Sequence, residues 1–137
     1  MKFMLDTNVL MHVANQEPGY RNILKQLSKH DSADVVLSAI TAHELHYKIQ
    51  KQRIGKARLD DLAGLMQRRK VIPFNNKAAE VSAMVRVHLE SCGTKISYWD
   101  TLIAGHAKAL DLVCVTDNVG EYDRVPGLKV QNWLRPK

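Results

Sequence analysis

Three short apolar runs constrain this chain more than any other feature: KFMLD at residues 2–6, DVVLS at 34–38 and LVCVT at 112–116, each stopping on a polar residue. Continuous apolar runs of this length suit strands buried on both faces, and parallel strands need long crossovers, usually helical. The intervening stretches supply them. Asn8 to Ala14 reads as a short helix closed off by Pro18-Gly19, and Tyr20, Ile23, Leu24 and Leu27 predict a second helix ending near His30. Thr41 to about Ile54 and Ala57 to Arg69 read as two more helices punctuated by Gly55, with Leu59, Leu62, Leu65 and Met66 on one face of the latter. Val71-Ile72 predicts a short strand ended by Pro73, and Ala78, Val81, Val85 and Leu89 mark a helix stopping at Cys92-Gly93, where glycine suits the left-handed C′ position. Asp100 to Leu110 is the last predicted helix and Leu128 to Val130 the last strand. The pattern is an α/β fold with a central parallel sheet covered on both faces. The expectation is a single domain spanning 1–137, long enough to bury roughly two-thirds of its unfolded surface without disulfides.

Only Cys92 and Cys114 are present, and Cys114 lies within LVCVT as a small buried hydrophobe would, pointing to a reducing compartment. Met1 leads directly into a strand, and no signal-peptide pattern or run of some 18 apolar residues follows. A cytoplasmic protein with no membrane association is therefore expected. The net charge of +6 is localised: Lys48, Lys51, Arg53, Lys56, Arg58, Arg68, Arg69 and Lys70 face only Asp60 and Asp61 between positions 48 and 70, and the remainder is balanced. Such a segment is either a solvated pair of helix faces or a surface that contacts phosphates. Charge alone does not choose.

In open α/β sheets ligands bind outside the carboxyl ends of the strands. Asp6 ends the first strand, Asp117 follows LVCVT, Glu44 lies on the helix after DVVLS, and Asp100 opens the helix leading into LVCVT. Four acidic side chains from separate segments can therefore meet at one sheet edge. Taken singly, each has a structural account. Asp6 and Asp100 suit helix caps or first turns, Glu44 suits an exposed helix face, and Asp117-Asn118 suits an Asx turn. Clustered carboxylates repel one another, however, and a divalent cation relieves that repulsion most simply. Hard oxygen donors favour Mg2+ or Mn2+ over zinc. His43-Glu44-Leu45-His46 spaces its histidines at i+3, where a zincin helix requires i+4. No phosphate-cradling glycine loop or nucleophile elbow occurs, and a dehalogenase-like phosphatase would need an aspartate where Asn8 stands.

MKFMLDTNVL, SAITAHEL, WDTLIAGHA and LVCVTDNVGEYDRVPGL, in that order, resemble the PIN-domain ribonucleases, specifically the VapC toxins of bacterial toxin–antitoxin pairs. The resemblance runs from residue 1 to about Trp133. It implies a three-layer α/β/α fold, an acidic pocket holding Mg2+ or Mn2+, and cleavage of structured RNA. By position, Asp6, Glu44 and Asp100 match the acidic metal-site residues, and Thr7 or Asn8 and Thr116 match polar residues that support them. For the fourth acidic position Asp117 is taken as the acid and Asn118 as its polar neighbour, although relatives place this residue two after the strand-ending threonine. Where relatives carry a loop with proline and glycine, this chain reads TKISYWD, keeping the aromatic neighbour Trp99.

Carboxylate-held ions activate water without a protein nucleophile, so in-line attack leaves 5′-phosphate and 3′-hydroxyl ends. Lys48, Lys51 and Arg53 continue the helix carrying Glu44 and are candidates for holding the RNA backbone. The resemblance implies a tRNA anticodon stem-loop as substrate, with initiator tRNA the specific candidate, a cognate VapB-type antitoxin, and a homodimer. Tyr98 and Trp99 are candidates either for stacking on a splayed base or for the core. Leu59, Leu62, Leu65, Met66, Tyr20, Ile23, Leu24 and Leu27 form core or interface, with core the default. The rival readings are a non-catalytic RNA-binding PIN module and a DNA-directed nuclease of the same fold.

Overall fold

Because side chains alternate across a strand, neighbouring residues of one apolar run enter two different cores. Phe3 and Leu5, Val35 and Leu37, and Val115 pack on one side of the sheet, and Met4, Val36 and Cys114 on the other. The computed structural model describes residues 1–51 and 55–135. Its strands are β1 (Phe3–Leu5), β2 (Val35–Ser38), β3 (Lys70–Ile72), β4 (Val113–Val115) and β5 (Val130–Gln131). They form one sheet of order β3-β2-β1-β4-β5, every neighbouring pair parallel.

Four helices supply the first core: α1 (Thr7–Ala14), α2 (Tyr20–Ser28), α3 (Ala39–Lys51) and α4 (Lys56–Gln67), through residues such as Leu10, Ile23, Leu45 and Leu62. The opposite core is closed by α5 (Asn76–Ser91), α6 (Tyr98–Ala109) and the short α7 (Val119–Tyr122), through Val85, Leu89, Ile103, Ala104 and Tyr122. The result is the expected three-layer α/β/α arrangement. Of the apolar helix positions, Leu62, Leu65, Met66, Ile23 and Leu27 are buried, Leu59 and Tyr20 half-buried, and Leu24 exposed. Gly93 follows the end of α5 with φ +67, the left-handed C′ conformation its position predicted.

Two differences from the sequence reading have local causes. Ser97 accepts a hydrogen bond from the Asp100 backbone N–H, so α6 starts at Tyr98, two residues before the expected start, and of the two places open to Asp100 it takes the first turn. Asp6 occupies the N-cap position of α1 by backbone geometry, yet its side chain makes no cap hydrogen bond. Its carboxylate has another partner.

The strand order fixes where a ligand crevice must lie. From β1 the chain moves outward through β2 to β3, then returns past β1 to β4 and β5. The direction reverses between β1 and β4, and in open parallel sheets the crevice outside the carboxyl ends at such a switch point is the binding site.

Candidate active site

Asp6 stands at that point. Its backbone N–H donates to the Val115 carbonyl at 2.9 Å, prolonging the β1–β4 ladder, and its carboxylate Oδ2 accepts the Thr116 hydroxyl at 2.9 Å. Thr116 in turn accepts the Asn118 backbone N–H at 3.0 Å, which holds the turn after β4. Asp6 is only 1% exposed. Burial first, and then the charge of Asp100, push its carboxyl from the ordinary 3.8 up to about 7; Glu44 adds to this, while hydrogen bonds from Thr116 and the Thr7 backbone pull the other way.

Glu44 comes from the second turn of α3. The Thr7 hydroxyl, at the start of α1, donates to its Oε1 at 2.8 Å, tying the helix after β1 to the helix after β2. Asp100 is half-buried, and its Oδ1 accepts the Tyr122 hydroxyl at 3.2 Å. Burial raises the Asp100 carboxyl, the hydrogen bonds of Ser97 and Tyr122 lower it, and the charges of Glu121 and Asp117 raise it again. Asp6, Glu44, Asp100, Asp117 and Glu121 thus share one electrostatic neighbourhood built from the end of β1, α3, α6, the β4–α7 turn and α7.

Asp117 sits at the rim of this group. Its Oδ2 lies 3.9 Å from His12 Nδ1 on α1, and the other ring nitrogen of His12 is 3.0 Å from Glu17. The carboxylate is therefore turned toward α1, and the link from Asn118 to Thr116 runs through its backbone. Asn8 is exposed, and its carbonyl oxygen lies 3.2 Å from His12 Nδ1.

The PIN domain family matches residues 3–128. The chain is 31% identical over 133 residues to the tRNA(fMet)-specific endonuclease VapC of Salmonella typhimurium, covering 97% of this chain and 98% of the relative. It is 34% identical over 134 residues to Ribonuclease VapC2 of Rickettsia felis, covering 97% and 98%. This chain belongs to the VapC family of PIN-domain ribonucleases. The tertiary likeness agrees: DNA-bound VapBC of Salmonella typhimurium superposes with a TM-score of 0.88 at 32% identity over 97% of this chain and 98% of that one.

Residues that this VapC-family chain's sequence did not flag are Tyr122, Ser97 and Glu121. Tyr122 is fully buried and its ring belongs to the core formed with α5 and α6, so only its hydroxyl reaches the site. Nothing in GEYD signals that reach, because a helix of four residues is too short to leave a periodic apolar pattern. Glu121 adjoins it in the same short helix.

Hard carboxylate oxygens, including those of Asp6 and Asp100, whose carboxyls burial pushes up, suit Mg2+ or Mn2+ in donor chemistry. Among the described residues no three His, Cys, Asp or Glu side chains close into a ligand set as they stand. The HELH run is not a zinc site either: the His43 ring is stacked on Trp99, centroids 5.6 Å apart at an interplanar angle of 22°. Trp99 is 42% exposed and Tyr98 57%, which excludes the core reading for both. Lys48 and Lys51 are exposed on α3 beyond Glu44, and Lys51 places its ammonium 4.7 Å from the Tyr47 ring centroid. Arg53 lies outside the described residues.

Proposed function

We infer that this VapC-family protein is a metal-dependent endoribonuclease toxin, a single domain over 1–137 that acts in the cytoplasm on structured RNA and is inhibited by a cognate VapB-type antitoxin. The observation that carries the reading is the convergence of the buried Asp6 with Glu44 and Asp100 at the switch point of the sheet, where burial first, and then the charges of Asp100 and Glu44, raise the proton affinity of Asp6. A group of carboxylates held together in this way is costly unless a cation joins them. In this reading Asp6, Glu44 and Asp100 hold Mg2+ or Mn2+, and Asp117 supplies a further carboxylate from the rim. Such an ion, when bound, polarises the scissile phosphate and lowers the pKa of an attacking water.

The chain's own contribution is orientation. Thr116 fixes Asp6, Thr7 fixes Glu44, and Tyr122 fixes Asp100, each through one hydroxyl. Lys48 and Lys51 hold the phosphate backbone beside these acids, and Arg53, outside the described residues, is a further candidate for that role. Water attack leaves 5′-phosphate and 3′-hydroxyl ends. The name of the Salmonella relative supports initiator tRNA as the substrate, and the reading places the cut in its anticodon stem-loop. The VapBC structures of related chains support an antitoxin partner. A homodimer is the expected assembly. No helix among the described residues is long and apolar enough to cross a membrane.

A second reading is a non-catalytic RNA-binding module: among the described residues, the side chains as they stand do not close into a ligand set. Cleavage decides between them. Purified protein is incubated with total tRNA and Mg2+ or Mn2+, with EDTA, Asp6→Asn and Asp100→Asn as controls. Defined fragments with 5′-phosphates, lost in all three controls, are expected. Intact tRNA bound tightly by folded protein, or fragments ending in 2′,3′-cyclic phosphate, would overturn the hydrolytic reading.

A further inference from the structure

Beside Glu44 lies a cavity of about 360 Å3 lined by His43, Glu44, Tyr47, Lys48 and Trp99. Its volume is at the small end of ligand pockets. Two large aromatic rings line it and both are left open: Tyr47 is 54% exposed and Trp99 42%. Exposed aromatics of this size are uncommon unless something covers them.

The rings are also held in place. His43 and Tyr47 are one helical turn apart on α3, and Trp99 opens α6. The His43 ring stacks against one face of the Trp99 indole, and the Lys51 ammonium lies over one face of the Tyr47 ring. Each ring therefore has one face occupied by a neighbour of this chain while retaining a large exposed area. The same cavity is lined by Lys48, a cation, and by Glu44, whose Oε1 accepts the Thr7 hydroxyl. Trp99 is adjacent in sequence to Asp100, so whatever seats on the indole is beside the carboxylates.

We propose that this cavity is a stacking subsite for one unpaired nucleobase of the RNA, next to the phosphate presented to the carboxylates. The assignment rests on the ribonuclease reading and deepens it by naming how the RNA is held. Unpaired bases are gripped by stacking on aromatic side chains, and phosphates beside them by lysines, which is the combination these residues provide. A flat base enters an open cavity lined by held rings with little ordering cost to the protein. The subsite therefore selects a splayed loop nucleotide over one locked in a helix, whatever its identity, because every base has a face to stack.

The test reads binding separately from cleavage. The probe is a short single-stranded oligoribonucleotide carrying one 2-aminopurine, titrated into the full chain with EDTA present, followed by tRNA cleavage with Mg2+. Stacking predicts quenched 2-aminopurine fluorescence, a roughly 5- to 100-fold weaker Kd for Trp99→Ala, a similar direction for Tyr47→Ala, and recovery of most of the affinity in Trp99→Phe. In cleavage, Trp99→Ala should raise KM far more than it lowers kcat, and replacing the stacked nucleotide by an abasic one should abolish the difference between variant and wild type. Trp99 and Tyr47 are exposed, and thermal melting confirms that each variant folds. Unquenched probe with equal Kd in all four proteins overturns the subsite, as does loss of antitoxin binding with RNA binding intact, which would assign the surface to a protein partner. Quenching that depends on Trp99 without any tRNA cleavage would leave the subsite standing and remove the nuclease.

Discussion

The Thr116 hydroxyl donates to Asp6 Oδ2 at 2.9 Å, joining side chains 110 positions apart at the carboxyl ends of neighbouring parallel strands. That bond favours the ionised aspartate, opposing the burial that disfavours it. Thr116→Val keeps the shape and removes the donor, so the Asp6 carboxyl should rise further. The expected result is a pH–rate profile whose acidic limb moves to higher pH, with an approximately 10-fold loss of activity below neutrality that shrinks as pH rises. An unmoved acidic limb would show that Asp6 ionisation does not control the reaction.

Asp6 itself links stability to pH. Its carboxyl is raised from 3.8 to about 7, so between those values the folded protein retains a proton that the unfolded chain has released. Stability without metal therefore falls as pH rises across that window and stays low above it. Asp6→Asn removes the buried charge, and at about pH 8 in EDTA it should melt several degrees above the wild type. The same variant should lose about 1000-fold in RNA cleavage. Mg2+ should raise the melting temperature of the wild type and not of the variant. A variant less stable than wild type in EDTA would refute the strain assigned to this carboxylate.

Tyr122→Phe separates the core from the site. The ring stays packed among Met4, Cys114 and Val125, while Asp100 Oδ1 loses its 3.2 Å donor. Metal affinity measured by calorimetry is expected to weaken about 10- to 100-fold, with cleavage recovered at high Mg2+. Loss of activity that no Mg2+ concentration restores would point to a role for the hydroxyl beyond orienting Asp100.

Lys48 and Lys51 are exposed on the α3 face that continues from Glu44. If each neutralises one phosphate, the double replacement by alanine lowers the slope of log K against log salt by between about 1 and 2 units, nearly equally for different RNA sequences. A weakening confined to one sequence, with the salt slope unchanged, contradicts the assignment.

Gly105 controls how closely α5 and α6 approach. A methyl group there would collide with the backbone and Cβ of Ser82, so Gly105→Ala must push the helices apart. A destabilisation of about 3 kcal/mol is expected in denaturant unfolding, with cleavage reduced because α6 carries Asp100. A neutral substitution would mean that the two helices accommodate the methyl group by sliding.

What the chain alone determined was the layering and the positions of the acids along it. The continuous apolar run within each of KFMLD, DVVLS and LVCVT is a local property, and so is the polar stop at its end, which is why Asp6, Glu44, Asp100 and Asp117 could be assigned to strand ends and helix starts from the chain alone. The boundaries that shifted did so where a single side chain intervened, as Ser97 does in starting α6 two residues before Asp100. The tertiary structure decided where each carboxylate points and what holds it. Asp6 and a capping aspartate look alike in sequence; the strand order puts Thr116 beside Asp6 and diverts its side chain from the cap. Asp117 leans to His12, and Tyr122 reaches Asp100 from the opposite core. The exposure of Trp99 and its pairing with His43 depend likewise on α3 and α6 meeting. Apolar periodicity is written in consecutive residues, whereas the partner of a polar atom is chosen by elements that meet only after the chain has folded.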